Sequence, residues 1–121
     1  MEPAAPAGVV LVADGERVVR TLARVALESA GWRVVEAASG DEATEVALAH
    51  RPRVAVLDAA IDGFDVAAAL AADPATEDTI VVFVSASREA KARADQLDAP
   101  FLHKPFNPVA LVNAVERATQ R

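Results

Sequence analysis

The stretch Arg53-Val54-Ala55-Val56-Leu57-Asp58-Ala59-Ala60-Ile61-Asp62-Gly63 places a carboxylate directly after a short apolar run. Val54, Val56 and Leu57 favour a strand, and an uninterrupted apolar run is typical of a strand that is covered on both faces. The run ends at Asp58, which small residues and a glycine follow. Open α/β sheets bind their ligands at the carboxyl ends of the strands. Asp58 is therefore the first candidate for a functional residue.

Four further apolar runs have the length of strands, and segments with helical spacing separate them. The predicted strands are Val9–Val12, Trp32–Glu36, Arg53–Leu57, Ile80–Val84 and Phe101–His103. The predicted helices cover 17–30, 40–50, 64–72, a short segment ending near Leu97, and a last segment that begins at Pro108. Strands that alternate with helices predict a parallel sheet with right-handed crossovers. The predicted fold is a doubly wound (βα)5 α/β domain, in which helices cover both faces of a five-stranded parallel sheet, the flavodoxin-like arrangement.

Cap residues mark the ends of several predicted helices. Ser39 and Glu42 have the spacing of a capping box, and Gly31 suits the positive φ that often ends a helix. Asn107 before Pro108 pairs an N-cap with a proline at the first helical position. In the first helix, the spacing predicts an apolar face made of Val18, Leu22, Val25 or Ala26, and Ser29. In the last helix, it predicts a buried side made of Val109, Leu111, Val112 and Val115.

The composition fits one domain with an aliphatic core. The chain has 121 residues, of which 53% are hydrophobic and 4% are aromatic. This length suffices for a single apolar core, so we expect one domain over residues 9–121 after a flexible tail of residues 1–8. The tail is too short and too polar for a signal peptide, and no apolar run approaches the length of a membrane span. We therefore expect a cytoplasmic protein with no membrane partner.

Charge and cysteine content exclude further classes of function. The net charge is −6 at pH 7 and the sequence has no block of Lys and Arg, so we expect no direct binding of nucleic acid. There is no cysteine, which excludes a disulfide framework and a thiolate metal site. The same absence fits a reducing compartment.

Chemically active side chains follow four of the five predicted strands. Asp14 follows the first strand, Asp58 the third, Ser85 the fourth and Lys104 the fifth. Because parallel strands end at the same edge of a sheet, we expect these side chains to meet in one crevice. Paired carboxylates suit a hard cation such as Mg²⁺, and a hydroxyl and an ammonium can contact a phosphoryl group. A carboxylate can also act as a nucleophile and form an aspartyl phosphate.

Four segments, each at a strand end, resemble the receiver domains of response regulators in two-component signalling. They are 10–16 (VLVADGE), 54–58 (VAVLD), 83–86 (FVSA) and 101–106 (FLHKPF). The resemblance covers residues 9–118 and is of the chemotaxis-regulator kind. It implies a signalling domain and not an enzyme, with at most self-phosphorylation and autodephosphorylation.

The resemblance also implies roles for particular residues. Asp58 matches the phospho-accepting aspartate, Ser85 the switch Ser/Thr, and Lys104 the lysine of the site. Phe101 takes the place of the aromatic residue that moves inward on activation. The phosphoryl donor would be a histidine kinase or a phosphotransfer protein. The output would pass to a downstream protein partner through the face formed by helix 4, strand 5 and helix 5.

One departure from the family pattern concerns the metal ligands. The resemblance implies that Asp14, Asp58 and the backbone carbonyl of Ala60 bind Mg²⁺. The family usually has a second acid directly after the position of Asp14, and this chain has Gly15 there. Because the number of charged ligands tunes affinity, this loss should weaken Mg²⁺ binding. Glu16, one residue further on, is the candidate for a substitute ligand.

Other departures lie in the loops. Asp62 stands where a proline is common, which suggests a solvated turn residue. The segment 85–104 is shorter than is usual in the family, so we expect a trimmed fourth helix or following loop. The resemblance also implies a cis peptide bond between Lys104 and Pro105, which is plausible for an X-Pro bond in a tight turn.

Two functions remain open at this point. The first is a stand-alone receiver or relay element that is phosphorylated on Asp58, since the sequence ends directly after the last predicted helix. The second is a pseudo-receiver, an interaction module with weakened Mg²⁺ binding that acts independently of phosphorylation. An enzyme on the same architecture is disfavoured, because Asp14-Gly15-Glu16 contains a single glycine and forms no phosphate-binding loop. A phosphohydrolase would also have an aspartate at the position of Glu16.

Overall fold

A computed structural model describes residues 8–120, and its strands and helices alternate as the sequence predicts. The strands are β1 (Val9–Ala13), β2 (Arg33–Ala37), β3 (Val54–Asp58), β4 (Ile80–Ser85) and β5 (Phe101–His103). The helices are α1 (Arg17–Ser29), α2 (Gly40–His50), α3 (Gly63–Ala72), α4 (Arg88–Gln96) and α5 (Pro108–Ala118), with a 3-10 turn over Ala59–Ile61. All strand pairs are parallel, in the order β2-β1-β3-β4-β5. The predicted fold class is confirmed; residues 1–7 of the predicted tail lie outside the described residues.

The register of the sheet aligns the strand ends. Ala13 of β1 pairs with Leu57 of β3. The residues that follow them in the chain, Asp14 and Asp58, therefore lie opposite one another. In the same way, Ser85 of β4 pairs with His103 of β5, directly before Lys104. The strand after β1 in the sequence, β2, lies on one side of β1, and β3 lies on the other side. This reversal of the strand order opens a crevice at the carboxyl ends of β1 and β3.

The core has one layer on each face of the sheet, because side chains alternate along a strand. Val10, Val12 and Trp32 pack with Leu27 of α1 and Leu111 of α5 on one face. The other layer packs against α2, α3 and α4, and its buried members include Leu11, Leu57, Leu70 and Phe83. Within residues 8–120, no helix combines the length and the apolar character that crossing a membrane requires.

The predicted caps are confirmed. The Ser39 hydroxyl accepts a hydrogen bond from the Glu42 amide at 3.2 Å, and the Asn107 side chain accepts one from the Ala110 amide at 2.8 Å. Gly31 has a φ of 98°, as a residue that follows a helix end often does. The Lys104–Pro105 peptide bond is cis, as the resemblance implied.

The predicted apolar face of α1 points the wrong way. Val18 is 79% exposed and Val25 is 60% exposed, whereas Ala23 and Leu27 on the opposite side are buried. The helix contains two apolar stripes, one through Val18 and Val25 and one through Ala23 and Leu27. The second stripe faces the sheet. Its small alanine lets the helix approach the sheet closely. In α5, the prediction for Val109 is also wrong. Its side chain is 67% exposed, while Leu111 and Val115 are fully buried and Val112 is half-buried.

Candidate functional site

The four side chains predicted at the strand ends lie at one edge of the sheet and form what we call the acceptor crevice. Asp14, Asp58 and Ser85 are buried, and Lys104 is half-buried. The Lys104 Nζ lies 2.6 Å from Asp14 Oδ2 and 3.3 Å from Asp58 Oδ2. One ammonium therefore bridges two carboxylates that the sheet register would otherwise leave facing each other.

Each oxygen-bearing side chain of the acceptor crevice is held by its own loop. Asp14 Oδ1 accepts a hydrogen bond from the Glu16 amide at 2.8 Å, and Asp58 Oδ1 accepts one from the Ala60 amide at 2.9 Å. Ser85 Oγ accepts one from the amide two residues further on, at 3.0 Å. In all three cases the side chain bonds the backbone of residue i+2, a local turn that Asp and Ser favour. The orientations are therefore set before any ligand binds.

Both the backbone and the side chain of Lys104 are held by polar contacts. Its backbone amide donates to the Ser85 carbonyl at 2.9 Å, which continues the β4–β5 pairing by one residue. Burial by itself would lower the pKa of Lys104. The hydrogen bond to Asp14 and the negative charges of Asp14 and Asp58 outweigh that effect, so the pKa lies above its ordinary value. Lys104 is consequently a cation at neutral pH.

An arginine that the sequence reasoning missed supports Asp14 from behind. Arg20 Nη1 donates to the Asp14 carbonyl at 2.7 Å, and Arg20 Nε lies 3.4 Å from Glu36 Oε1. The other oxygen of Glu36 pairs with Arg24 Nη2 at 2.9 Å. Glu36 lies near the end of β2, beside β1. The available signal was an arginine one turn into α1 together with an acid near the end of a neighbouring strand.

The wall of the acceptor crevice next to Asp14 is apolar. Gly15 occupies the position of the expected second acid, and a Cβ built on it would lie 3.3 Å from Ile61 Cγ2. Gly15 does not use a positive φ, so its backbone does not require glycine. The Glu16 side chain lines a separate depression, together with Lys104, Pro105 and Phe106. Nothing in the backbone therefore prevents an acid at position 15.

The donor set of the acceptor crevice fits Mg²⁺, although with fewer charges than the family pattern provides. Asp14 and Asp58 offer carboxylate oxygens, and Mg²⁺ commonly binds one or two carboxylates while it keeps several waters. Within residues 8–120, no three His, Cys, Asp or Glu side chains are grouped so as to hold a metal ion. In this conformation, Glu16 does not join the two aspartates.

The loop after Asp58 is unusually tight, which explains two of its residues. A Cβ on Gly63 would lie 2.7 Å from the Asp58 carbonyl oxygen, so only glycine fits there without a shift. Asp62 has a φ of 62°, in the left-handed region. Proline holds φ near −65°, so it could not adopt this conformation. A proline at position 62 would therefore need a different path of the loop.

An open depression of about 380 Å³ lies on the side of α3 and α4, and the two residues that follow Asp58 are part of its lining. The small side chains of Ala59 and Ala60 and the Ser85 side chain line it, whereas the Asp58 carboxylate does not. On its outer side, the Arg93 guanidinium lies 4.3 Å from the centre of the Phe64 ring. Phe64 in turn stacks on the buried Phe83, with ring centres 4.3 Å apart. This stack links α4 to α3 and β4.

Phe101, the predicted switch residue, is half-buried in the short strand β5. Its ring packs against the core layer that contains Leu57 and Phe83. The Lys91 Nζ of α4 lies 6.0 Å from the centre of the ring, at the outer limit of a cation–π contact. Phe101 is thus neither fully inside nor fully exposed.

These observations define a class: a doubly wound domain with two aspartates, a serine and a lysine at the carboxyl edge of a 2-1-3-4-5 sheet. A profile of the response regulator receiver domain matches residues 10–116. The chain belongs to this family of two-component signalling domains, as the resemblance predicted.

Named relatives and solved structures agree with this assignment. The chain is 32% identical over 117 residues to the transcriptional regulatory protein PdtaR of Mycobacterium tuberculosis, covering 93% of this chain and 57% of PdtaR. It is 28% identical over 118 residues to the phosphate regulon transcriptional regulatory protein PhoB of Pseudomonas aeruginosa, covering 93% of this chain and 52% of PhoB. The chain thus spans about half the length of these curated relatives.

Among solved structures, the chemotaxis response regulator CheY4 of Vibrio cholerae matches with a TM-score of 0.82 at 28% identity, covering 91% of this chain and 97% of CheY4. A putative response regulator from Chloroflexus aurantiacus matches with a TM-score of 0.84 at 27% identity, covering 96% of this chain and 99% of that one.

Proposed function

We propose that this chain is a receiver that accepts a phosphoryl group on Asp58 from a histidine kinase or a phosphotransfer protein. The observation that carries the proposal is the bridge from Lys104 Nζ to the carboxylates of Asp14 and Asp58 in a buried crevice. A carboxylate beside a fixed cation suits an attack on an incoming phosphorus atom.

The transfer would proceed by nucleophilic substitution at phosphorus. A carboxylate oxygen of Asp58 forms a bond to the phosphorus while the bond from phosphorus to the donor's imidazole nitrogen breaks, and that nitrogen keeps the electron pair. Lys104 lies within reach to offset the charge of the phosphoryl oxygens. The Ser85 hydroxyl accepts a bond from the Ser87 amide, so its own proton remains available for a phosphoryl oxygen.

Mg²⁺ would be held by Asp14, Asp58 and the backbone carbonyl of Ala60. When bound, it supplies positive charge to the phosphoryl oxygens in transfer. Glu16 would have to leave the depression beside Lys104 to act as a substitute ligand.

The signal would leave through α4, β5 and α5 to a downstream protein partner. Phosphorylation would draw Ser85 toward the new phosphoryl group, and Phe101 would move into the space that this shift opens. Two states that differ by a few kcal/mol are enough for such a switch. We place this activity in the cytoplasm, in one receiver domain over residues 9–121.

Gly15 favours a second candidate, a pseudo-receiver that signals without phosphorylation. The absence of an acid at this position lowers the charge available to Mg²⁺, so binding in the millimolar range or weaker is expected. In that case, binding to the downstream partner would survive Asp58→Ala.

The test is incubation with acetyl phosphate and Mg²⁺, followed by intact-mass measurement. The wild-type chain should gain one phosphoryl group and Asp58→Asn should gain none. Asp62→Asn is the matched control, because Asp62 is an exposed aspartate of the same loop and asparagine tolerates its positive φ. Equal labelling of wild type and Asp58→Asn would exclude Asp58 as the acceptor. No labelling of either, with an intact fold, would favour the pseudo-receiver.

A further inference from the structure

Three glycines border the short turn of residues 59–62 that follows Asp58, which we call the acceptor turn. Gly15 belongs to the loop after β1, Gly40 begins α2, and Gly63 begins α3. None of the three has a positive φ, so none is needed for its own backbone conformation. Glycine at such positions often allows another segment to approach closely.

The backbone of the acceptor turn is tightly enclosed. A Cβ on Gly40 would lie 2.8 Å from the Ile61 carbonyl oxygen, and a Cβ on Gly63 would lie 2.7 Å from the Asp58 carbonyl oxygen. Real Cβ atoms do not approach a neighbour so closely, so both positions require glycine while the turn keeps this path. The Ala60 amide donates to Asp58 Oδ1 at 2.9 Å and fixes the start of the turn. The backbone at Ile61 therefore has little room to shift.

The Ile61 side chain faces position 15. Its Cγ2 methyl group would lie 3.3 Å from a Cβ built on Gly15, which is closer than an ordinary van der Waals contact. Ile61 is half-buried and packs against the core layer that contains Leu57. The methyl group therefore occupies the first part of the space that a longer side chain at position 15 would enter.

We propose that Ile61 is a specificity-determining residue of the acceptor crevice, because its side chain keeps the space beside Gly15 apolar and thereby lowers the affinity for Mg²⁺. This inference rests on the proposed function, in which Asp14 and Asp58 hold Mg²⁺. Protein interiors are close-packed, so a single methyl group affects the side chains next to it. Residues in contact also influence the effects of each other's substitution. Gly15 and Ile61 thus act as a pair in metal binding.

Titration of the full chain with Mg²⁺ alone, followed by amide NMR shifts, tests the role of Ile61. Ile61→Ala removes the Cγ2 methyl group and should bind Mg²⁺ about threefold more tightly than the wild type, because Mg²⁺ keeps several waters that need room. Ile61→Val is the matched variant. It keeps the Cγ2 methyl group that faces Gly15, so its affinity should stay close to that of the wild type.

A second arm of the experiment tests whether the two residues act as a pair. Gly15→Asp should raise the affinity at least about threefold more in the Ile61→Ala chain than in the wild-type chain, since the new carboxylate no longer meets the methyl group. Ile80→Ala is the control for the loss of a half-buried isoleucine elsewhere. Ile80 packs against the other core layer, so Ile80→Ala should leave the affinity unchanged.

Equal affinities of Ile61→Ala and the wild type, including no binding by either, would overturn the proposal. It would also be overturned if Ile61→Val acted like Ile61→Ala, or if Gly15→Asp gave equal gains in both chains. Labelling of Asp58 by acetyl phosphate is measured separately. Tighter Mg²⁺ binding by Ile61→Ala without labelling of Asp58 would contradict the phosphorylation and support the role of Ile61, whereas labelling without the Ile61 effect would overturn only the present inference.

Discussion

The two walls of the acceptor crevice differ in chemistry. On one wall, Lys104 reaches both Asp14 and Asp58 and completes an ion-paired cluster. On the other wall, where the family pattern has an acid, Gly15 lies next to an Ile61 methyl group. The first wall carries the cation that the proposed function assigns to the phosphoryl oxygens, whereas Gly15 adds no charge to the second.

In the proposed function Asp58 would serve both the phosphoryl group and Mg²⁺, so the two roles can be varied separately only at Lys104 and at Gly15. The crevice holds two carboxylates and one ammonium, so its formal charge is one negative unit. A further acid at position 15 would add a second unit and a further ligand. The following predictions test each wall in turn, from the largest expected effect to the smallest.

Removal of the cation should have the largest effect. Lys104→Met leaves the carboxylates of Asp14 and Asp58 buried without their partner, and loss of one member of a buried ion pair costs about 3 kcal/mol. Phosphorylation from acetyl phosphate should also slow by roughly 100-fold, because the charge on the phosphoryl oxygens is no longer offset. Urea unfolding, followed by the fluorescence of the buried Trp32, measures the first effect, and intact-mass time courses measure the second.

Lys91→Met is the control for this substitution. Lys91 pairs with Asp95 at 2.7 Å, but both side chains are more than half exposed. Such a pair contributes little to stability, so both readouts should stay near the wild-type values. If Lys104→Met behaved like Lys91→Met, the first wall would have no role in transfer.

Restoration of the acid should strengthen Mg²⁺ binding. Gly15→Asp adds a carboxylate next to Asp14, and we expect about tenfold tighter binding, which corresponds to about 1.4 kcal/mol. The Ile61 side chain has to move by a few tenths of an ångström to make room for the new Cβ. The affinity can be measured from amide NMR shifts during Mg²⁺ titrations with and without a beryllium fluoride mimic.

Gly15→Asn separates charge from bulk in this experiment. It has nearly the same size as aspartate and the same contact with Ile61, but no negative charge. It should therefore leave the affinity close to that of the wild type. Equal gains from Asn and Asp would mean that charge at the second wall does not limit metal binding.

Loss of the Arg20 contact with the Asp14 carbonyl should lower the free energy of unfolding by a smaller amount. Arg20→Met removes the hydrogen bond to the Asp14 carbonyl and should cost about 1 kcal/mol in urea unfolding. Arg24→Met is the comparison, since Arg24 pairs with the same Glu36 but its side chain is 44% exposed. A cost for Arg24 as large as that for Arg20 would assign the effect to the Glu36 ion pairs.

The smallest expected effect is that of alkaline pH. Because the pKa of Lys104 is raised in the folded state, its contribution to stability is complete below the unfolded pKa of about 10.4. The contribution is then lost as pH rises through the folded pKa. The stability of the wild type should thus fall more steeply above about pH 10 than that of Lys104→Met. Parallel curves for the two chains would contradict this assignment.

The sequence predicted the acceptor crevice well because the crevice depends on order along the chain. Asp14, Asp58, Ser85 and Lys104 each follow an apolar run, and a parallel sheet aligns such positions whatever the details of packing. The contact of Arg20 with the Asp14 carbonyl was not predictable in this way, because it depends on the rotation of α1 about its axis.

The rotation of α1 about its axis also explains why the wrong side of this helix was predicted to face the core. The repeat through Val18 and Val25 is as regular as the repeat through Ala23 and Leu27, and spacing alone does not indicate which one faces the sheet. Alanine is a weak marker of burial in a chain so rich in alanine. The choice between the stripes came from the close packing of α1 against α5 and the sheet.

The way in which α4 is attached has a consequence for local opening. The side chains that α4 buries are those of Ala90 and Ala94, and its larger contacts are the Arg93 and Lys91 cations over aromatic rings. Segments with few buried apolar contacts open at a lower free energy than the rest of a domain. Backbone amides of α4 should therefore exchange with deuterium before those of α5, which buries Leu111 and Val115. The helix that lines the depression next to Ser85 should then open locally at a lower free energy than α5.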